Sequence, residues 1–88
     1  MTNNNLGAAY SALAPFSATP AEQIEKAIAA YANALRVYTE AERPQDWATT
    51  NNNLAAAYRA LAPFSANPAE QIEKAIAAYA NALRVYTE

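Results

Sequence analysis

Apolar side chains recur at helical spacing in two long stretches of this chain. Ile24, Ala27, Ile28, Tyr31, Ala34, Leu35 and Tyr38 form one stripe, and Ile72 through Tyr86 repeats it. Residues three and four apart share a helix face, so each stretch predicts an amphipathic helix. A shorter pattern of Trp47, Asn51, Leu54, Tyr58 and Leu61 marks one face of another helix. One glycine in 88 residues, abundant alanine and few β-branched residues favour helix nearly everywhere, and five prolines mark the breaks. The pattern predicts helices over 2–14, 20–41, 44–62 and 68–88.

The punctuation supports these bounds. Thr19 is placed to cap a helix that begins at Pro20, with Glu22 three residues after the cap. Asn67, Pro68 and Glu70 repeat the arrangement, and the exchange of threonine for asparagine keeps a good capping residue. Pro44 opens a further helix, with Asp46 in its first turn where a carboxylate suits the helix dipole. The connectors Ala14–Ala18 and Ala62–Ala66 both read Ala-Pro-Phe-Ser-Ala, and proline disfavours helix for the residue before it. Phe16 and Phe64 are expected to fold back and plug the open end of their hairpins, in preference to gripping a ligand.

Sliding the chain along itself by 48 positions lays Thr2–Glu40 on Thr50–Glu88. Only Gly7/Ala55, Ser11/Arg59 and Thr19/Asn67 differ. Such self-similarity is the mark of stacked units, each too small to bury its own apolar stripe. Residues 1–40 form the first repeat, with a truncated first helix, and residues 41–88 form the second; together they make one domain. The first unit begins part-way in, as expected of a piece cut from a longer array or of an engineered sequence patterned on one.

Composition narrows the chemistry. The hydrophobic fraction of 53% is supplied largely by alanine, so the large core side chains are few. Six basic and eight acidic residues give a net charge of −2 with no basic stripe, which argues against a nucleic-acid partner. Without cysteine or histidine the chain has no disulfide, no thiolate, and neither the commonest metal ligand nor the commonest general base. No metal, cofactor or catalytic residue is therefore expected, and no enzymatic activity. No apolar run reaches membrane-spanning length, so a soluble, cytoplasmic protein is the default expectation.

The residues resemble the tetratricopeptide repeat, a helix-turn-helix unit of typically 34 residues. Leu54-Ala-x-x-Tyr58 and Leu6-Gly7-x-x-Tyr10 match the family's Leu-Gly-x-x-Tyr, while Ala75-x-x-x-Tyr79-x-x-Ala82 and Ala27-x-x-x-Tyr31-x-x-Ala34 match Ala-x-x-x-Phe-x-x-Ala. The likeness covers essentially the whole chain. It departs from the family in its 48-residue period and in Asn51 standing where the family tryptophan falls, with Trp47 one turn earlier. In these it is similar to the long repeats of the kinesin light chain type and of bacterial arrays. The resemblance implies an all-α α-solenoid of two helix-turn-helix repeats, a right-handed superhelix whose shorter helices line a concave groove for a protein or peptide.

On that reading the groove face of the shorter helices includes Asn4, Ala8, Ser11 and Ala12 in the first copy, and Thr49, Asn52, Ala56, Arg59 and Ala60 in the second. The triplets Asn3–Asn5 and Asn51–Asn53 stand out, because asparagine is a weak helix former. Repeats of this kind often use an asparagine here to bind a ligand's backbone, which adds Asn5 and Asn53 to the candidates. The competing reading has one asparagine bonding the neighbouring repeat and the others solvated; Arg59 likewise reads as a solvated surface arginine. Glu22, Glu25, Glu70 and Glu73 lie near helix starts, where the dipole explains them without chemistry. The leading expectation is an interaction scaffold. The alternative is a structural, self-assembling unit that oligomerises with its own copies through uncapped repeat ends.

Overall fold

Proline decides where the long helices begin. In the computed structural model, which describes residues 3–86, three of the four helices start on one: α1 spans Asn3–Leu13, α2 Pro20–Leu35, α3 Pro44–Leu61 and α4 Pro68–Tyr86. The missing N–H of proline is no loss at the first helical position, and its fixed φ suits the helix. Short 3-10 turns, Ala14–Phe16 and Ala62–Phe64, finish α1 and α3 and carry the chain into the next helix start. Met1, Thr2, Thr87 and Glu88 lie outside the described residues, so the expected helix ends at positions 2 and 88 fall there too.

The helices pack in chain order, α1 on α2, α2 on α3 and α3 on α4, with α1 also touching α3. There is no strand among the described residues. The radius of gyration of 12.6 Å is close to the ~12 Å of a compact chain of this length. No helix among the described residues is long and apolar enough to cross a membrane.

Alanine sets the spacing. Ala27, Ala48 and Ala55 are completely buried and Ala34, Ala75 and Ala82 nearly so. Small residues at these points let the helices approach closely, and Ile24, Tyr31 and Leu54 fill the remaining space. Ile28, Leu35, Tyr58 and Leu61 complete this central cluster, which joins α2 of the first repeat to α3 of the second. The expected stripe therefore packs as one face from Ile24 to Leu35, while Tyr38 lies beyond the helix end.

Helix α2 ends six residues earlier than its pattern predicts, at Leu35 rather than at 41. The chain must reverse so that α3 can start at Pro44 and return along α2. Arg36 and Val37 close the last turn with tight bonds to the carbonyls of Asn33 and Ala34, and the Thr39 hydroxyl accepts the N–H of Glu42. The identical Arg84–Tyr86 stays helical in α4. Position in the fold overrides local sequence here.

The helix starts also differ in detail from expectation. Thr19 makes no side-chain cap bond. Its own N–H donates to Ser17 Oγ at 3.0 Å, and its carbonyl accepts from Gln23. Asn67 follows suit, donating to Ser65 Oγ at 3.0 Å and accepting from Glu70 and Gln71 through its carbonyl. The serine two residues earlier thus orders each turn. Glu22 and Glu70 instead pair with Lys26 and Lys74 one turn on, at 3.6 and 3.7 Å.

Phe16 and Phe64 do not plug their own hairpins; they are 87% and 54% exposed. Each sits on a 3-10 turn at the surface, and Phe64 lies at the junction of the two hairpins, beside Pro20 and Ile24 of the preceding one.

Candidate functional site

The small residues on facing helices leave a cleft between the two repeats. Its volume is about 520 Å³. Ala8 and Ser11 of α1 form one wall, and Asn53, Ala56 and Ala60 of α3 form the other. The floor is Ala14, Ile24, Tyr31 and Ala57, all buried, with Pro15, Pro20 and Phe64 closing one end. Larger wall side chains would fill this space, so the cleft exists because alanine and serine occupy these positions.

The lining carries no charged side chain. Among the described residues, Ser11, Asn53 and Tyr31 bring the polar side-chain groups to an otherwise apolar surface. Such a site favours an apolar side chain flanked by hydrogen-bonding backbone over a charged group. No cluster of three or more histidine, cysteine, aspartate or glutamate residues able to hold a metal occurs among the described residues.

Gly7 makes the floor possible. A Cβ there would come within 2.6 Å of Tyr31 Cε1 and 2.8 Å of its Cζ. Without it the Tyr31 ring comes close against α1 and is only 3% exposed. The second repeat has Ala55 at the equivalent position, and Tyr79, packed against the cluster that contains Ala55, is only partly buried.

The candidates read from the sequence divide into groups. Ala8, Ser11, Asn53 and Ala56 come together in the cleft, as does Ala60. Asn4 lies at its edge, where its Oδ1 accepts from Asn53 Nδ2 at 3.3 Å and ties α1 to α3. Thr49 turns to the opposite side and places its hydroxyl 3.4 Å from that of Tyr86 on α4. Asn5, Ala12, Asn52 and Arg59 are exposed and do not line the cleft. Asn51, passed over as a ligand contact, is buried and structural: its Nδ2 donates to the Trp47 carbonyl at 3.0 Å, and its Oδ1 accepts from Asn81 at 3.4 Å.

Pro15, Pro20, Ile24, Tyr31, Ala57 and Phe64 also belong to the site, although their sequence pattern marks none of them as groove-facing. The shared Ala-Pro-Phe connector was the visible signal for part of this set. The burial of Tyr31 rests on Gly7 and on the cover of α3, and only the first of these is visible in the sequence, as the Gly7/Ala55 difference. No family model, no curated protein and no solved structure matches the chain.

Proposed function

We propose that this chain is an interaction module that holds a segment of another protein, or a peptide, in the cleft between α1 and α3. The observation that carries this reading is the cleft itself: open, apolar and uncharged, with small-residue walls and a few polar groups at hydrogen-bonding positions. A 520 Å³ space suits one or two apolar side chains, and Ser11 and Asn53 suit the backbone beside them. The resemblance to tetratricopeptide repeats supports the same role, and with it an α-solenoid arrangement of right-handed superhelical sense. A binding scaffold, rather than an enzyme, fits a chain that lacks histidine and cysteine.

Selection from a phage-displayed library of random dodecapeptides against the immobilised chain tests this. The expected outcome is enrichment of peptides with neutral, apolar anchors. Ala56→Arg, which fills one wall from an exposed position, should weaken the selected peptide at least ~10-fold. Helical circular dichroism should be unchanged, since arginine is a good helix former. Failure to enrich any peptide, or equal binding by Ala56→Arg, would remove the basis for the cleft as the site.

A further inference from the structure

The second repeat leaves uncovered the face that the first repeat buries. Ile24 is 5% exposed because α3 packs over it, whereas its counterpart Ile72 is 38% exposed; Ile76 and Leu83 are exposed as well. The residues on α2 and α4 that form this face are identical, so the sequence that covers it is already known. It is the Leu54, Ala57, Tyr58 and Leu61 face of α3. The chain carries that face a second time on α1, as Leu6, Ala9, Tyr10 and Leu13. There it is open: Ala9 is exposed and Leu13 is 48% exposed, where the matching Ala57 is buried.

We infer that α1 of a second copy of this chain docks on α4, reproducing between molecules the packing of α3 on α2. Two further features fall into place. Phe64 reaches back beside Pro20 and Ile24 of the preceding repeat; the second copy's Phe16, otherwise 87% exposed, meets Pro68 and Ile72 in the same way. The Asn53-to-Asn4 bond between repeats has its image in Asn5 of the second copy and Asn52 of the first. The two surfaces are different, so the contact is head-to-tail and open-ended. Each added copy extends the wall that bears the cleft. At the new junction Arg59 stands where Ser11 stands within the chain, so the cleft between copies is basic and the cleft within each copy neutral.

Sedimentation velocity from micromolar to millimolar chain concentration tests this, with Ile76→Glu and Leu13→Glu as variants. Both positions are exposed, and circular dichroism verifies that each variant keeps its helices. The wild-type chain should grow steadily in mass with concentration. Each variant should weaken association more than ~10-fold. An equimolar mixture of the two variants should form a dimer and nothing larger, because one retains a sound α1 face and the other a sound α4 face. A wild-type chain that stays monomeric throughout would overturn the inference. So would a Leu13→Glu variant that still dimerises, which would mean that α4 pairs with α4, and so would a mixture that stays monomeric.

Discussion

Replacing Gly7 by alanine sets two effects of known size against each other. Alanine is favoured over glycine within a helix by about 1 kcal/mol, and nothing in α1 opposes that gain locally. The added Cβ, however, would sit 2.6 to 2.8 Å from three atoms of the Tyr31 ring. Ordinary carbon contacts lie near ~3.6 Å, so the ring must retreat by about 1 Å. Tyr31 is only 3% exposed and held among Ile24, Ala27 and Leu54. Overpacking of this kind costs about 1–3 kcal/mol. The clash should win, leaving a net destabilisation of about 1 kcal/mol and a fall in melting temperature of about 4–8 °C for a domain of this size. Thermal melts followed by circular dichroism at low micromolar concentration would measure it without a contribution from association. The control is the same change in a Tyr31→Leu background, where the ring is gone and Gly7→Ala should stabilise by about 1 kcal/mol. The coupling energy between the two positions should thus reach about 1–3 kcal/mol. A Gly7→Ala variant that gains the same stability in both backgrounds would refute the claim that this glycine exists to admit the ring.

Other substitutions probe the polar interior. The Thr50 hydroxyl is fully buried and has no hydrogen-bond partner among the described residues; Thr50→Val, of equal shape, should therefore raise stability by about 1 kcal/mol in denaturant melts. Asn51→Ala removes the bonds to the Trp47 carbonyl and to Asn81, and should lower stability by about 1 kcal/mol even after alanine's better helix propensity is counted. Asn52→Ala, at the exposed neighbouring position, should be neutral or slightly stabilising in the monomer. Equal effects at 51 and 52 would contradict the assignment of Asn51 as a buried strut.

The asparagine triplet shows where sequence stops being informative. Successive helix residues point about 100° apart, so Asn51, Asn52 and Asn53 must face three directions. Which of them faces inward depends on the rotation of α3 about its axis. The Trp47, Leu54, Tyr58 and Leu61 face marks Asn51 as the inward one, while alanine elsewhere on α3 leaves the edge of the groove face poorly marked. The sequence pattern centres the groove face on 52, 56 and 59, while the cleft is lined by Asn53, Ala56, Ala57 and Ala60. Only the packing of Leu54 and Tyr58 into the α2 face, and the Asn53–Asn4 bond, fixes the phase.

What the chain determined unaided is local and periodic. Pro20, Pro44 and Pro68 set the helix starts because ring geometry acts on the nearest residues alone. The stripe from Ile24 to Leu35 set the buried face because helical spacing needs no partner to be read. The 48-residue repeat set two units out of one pattern. Tertiary structure decided everything that depends on a neighbour. Arg36–Tyr38 turns while the identical Arg84–Tyr86 remains helical, because the first stretch must reverse into α3. Ile24 is buried while Ile72 is not, because α3 lies over the first and none of the described helices lies over the second. Identical residues thus take different environments, since burial is a property of the contact and not of the side chain.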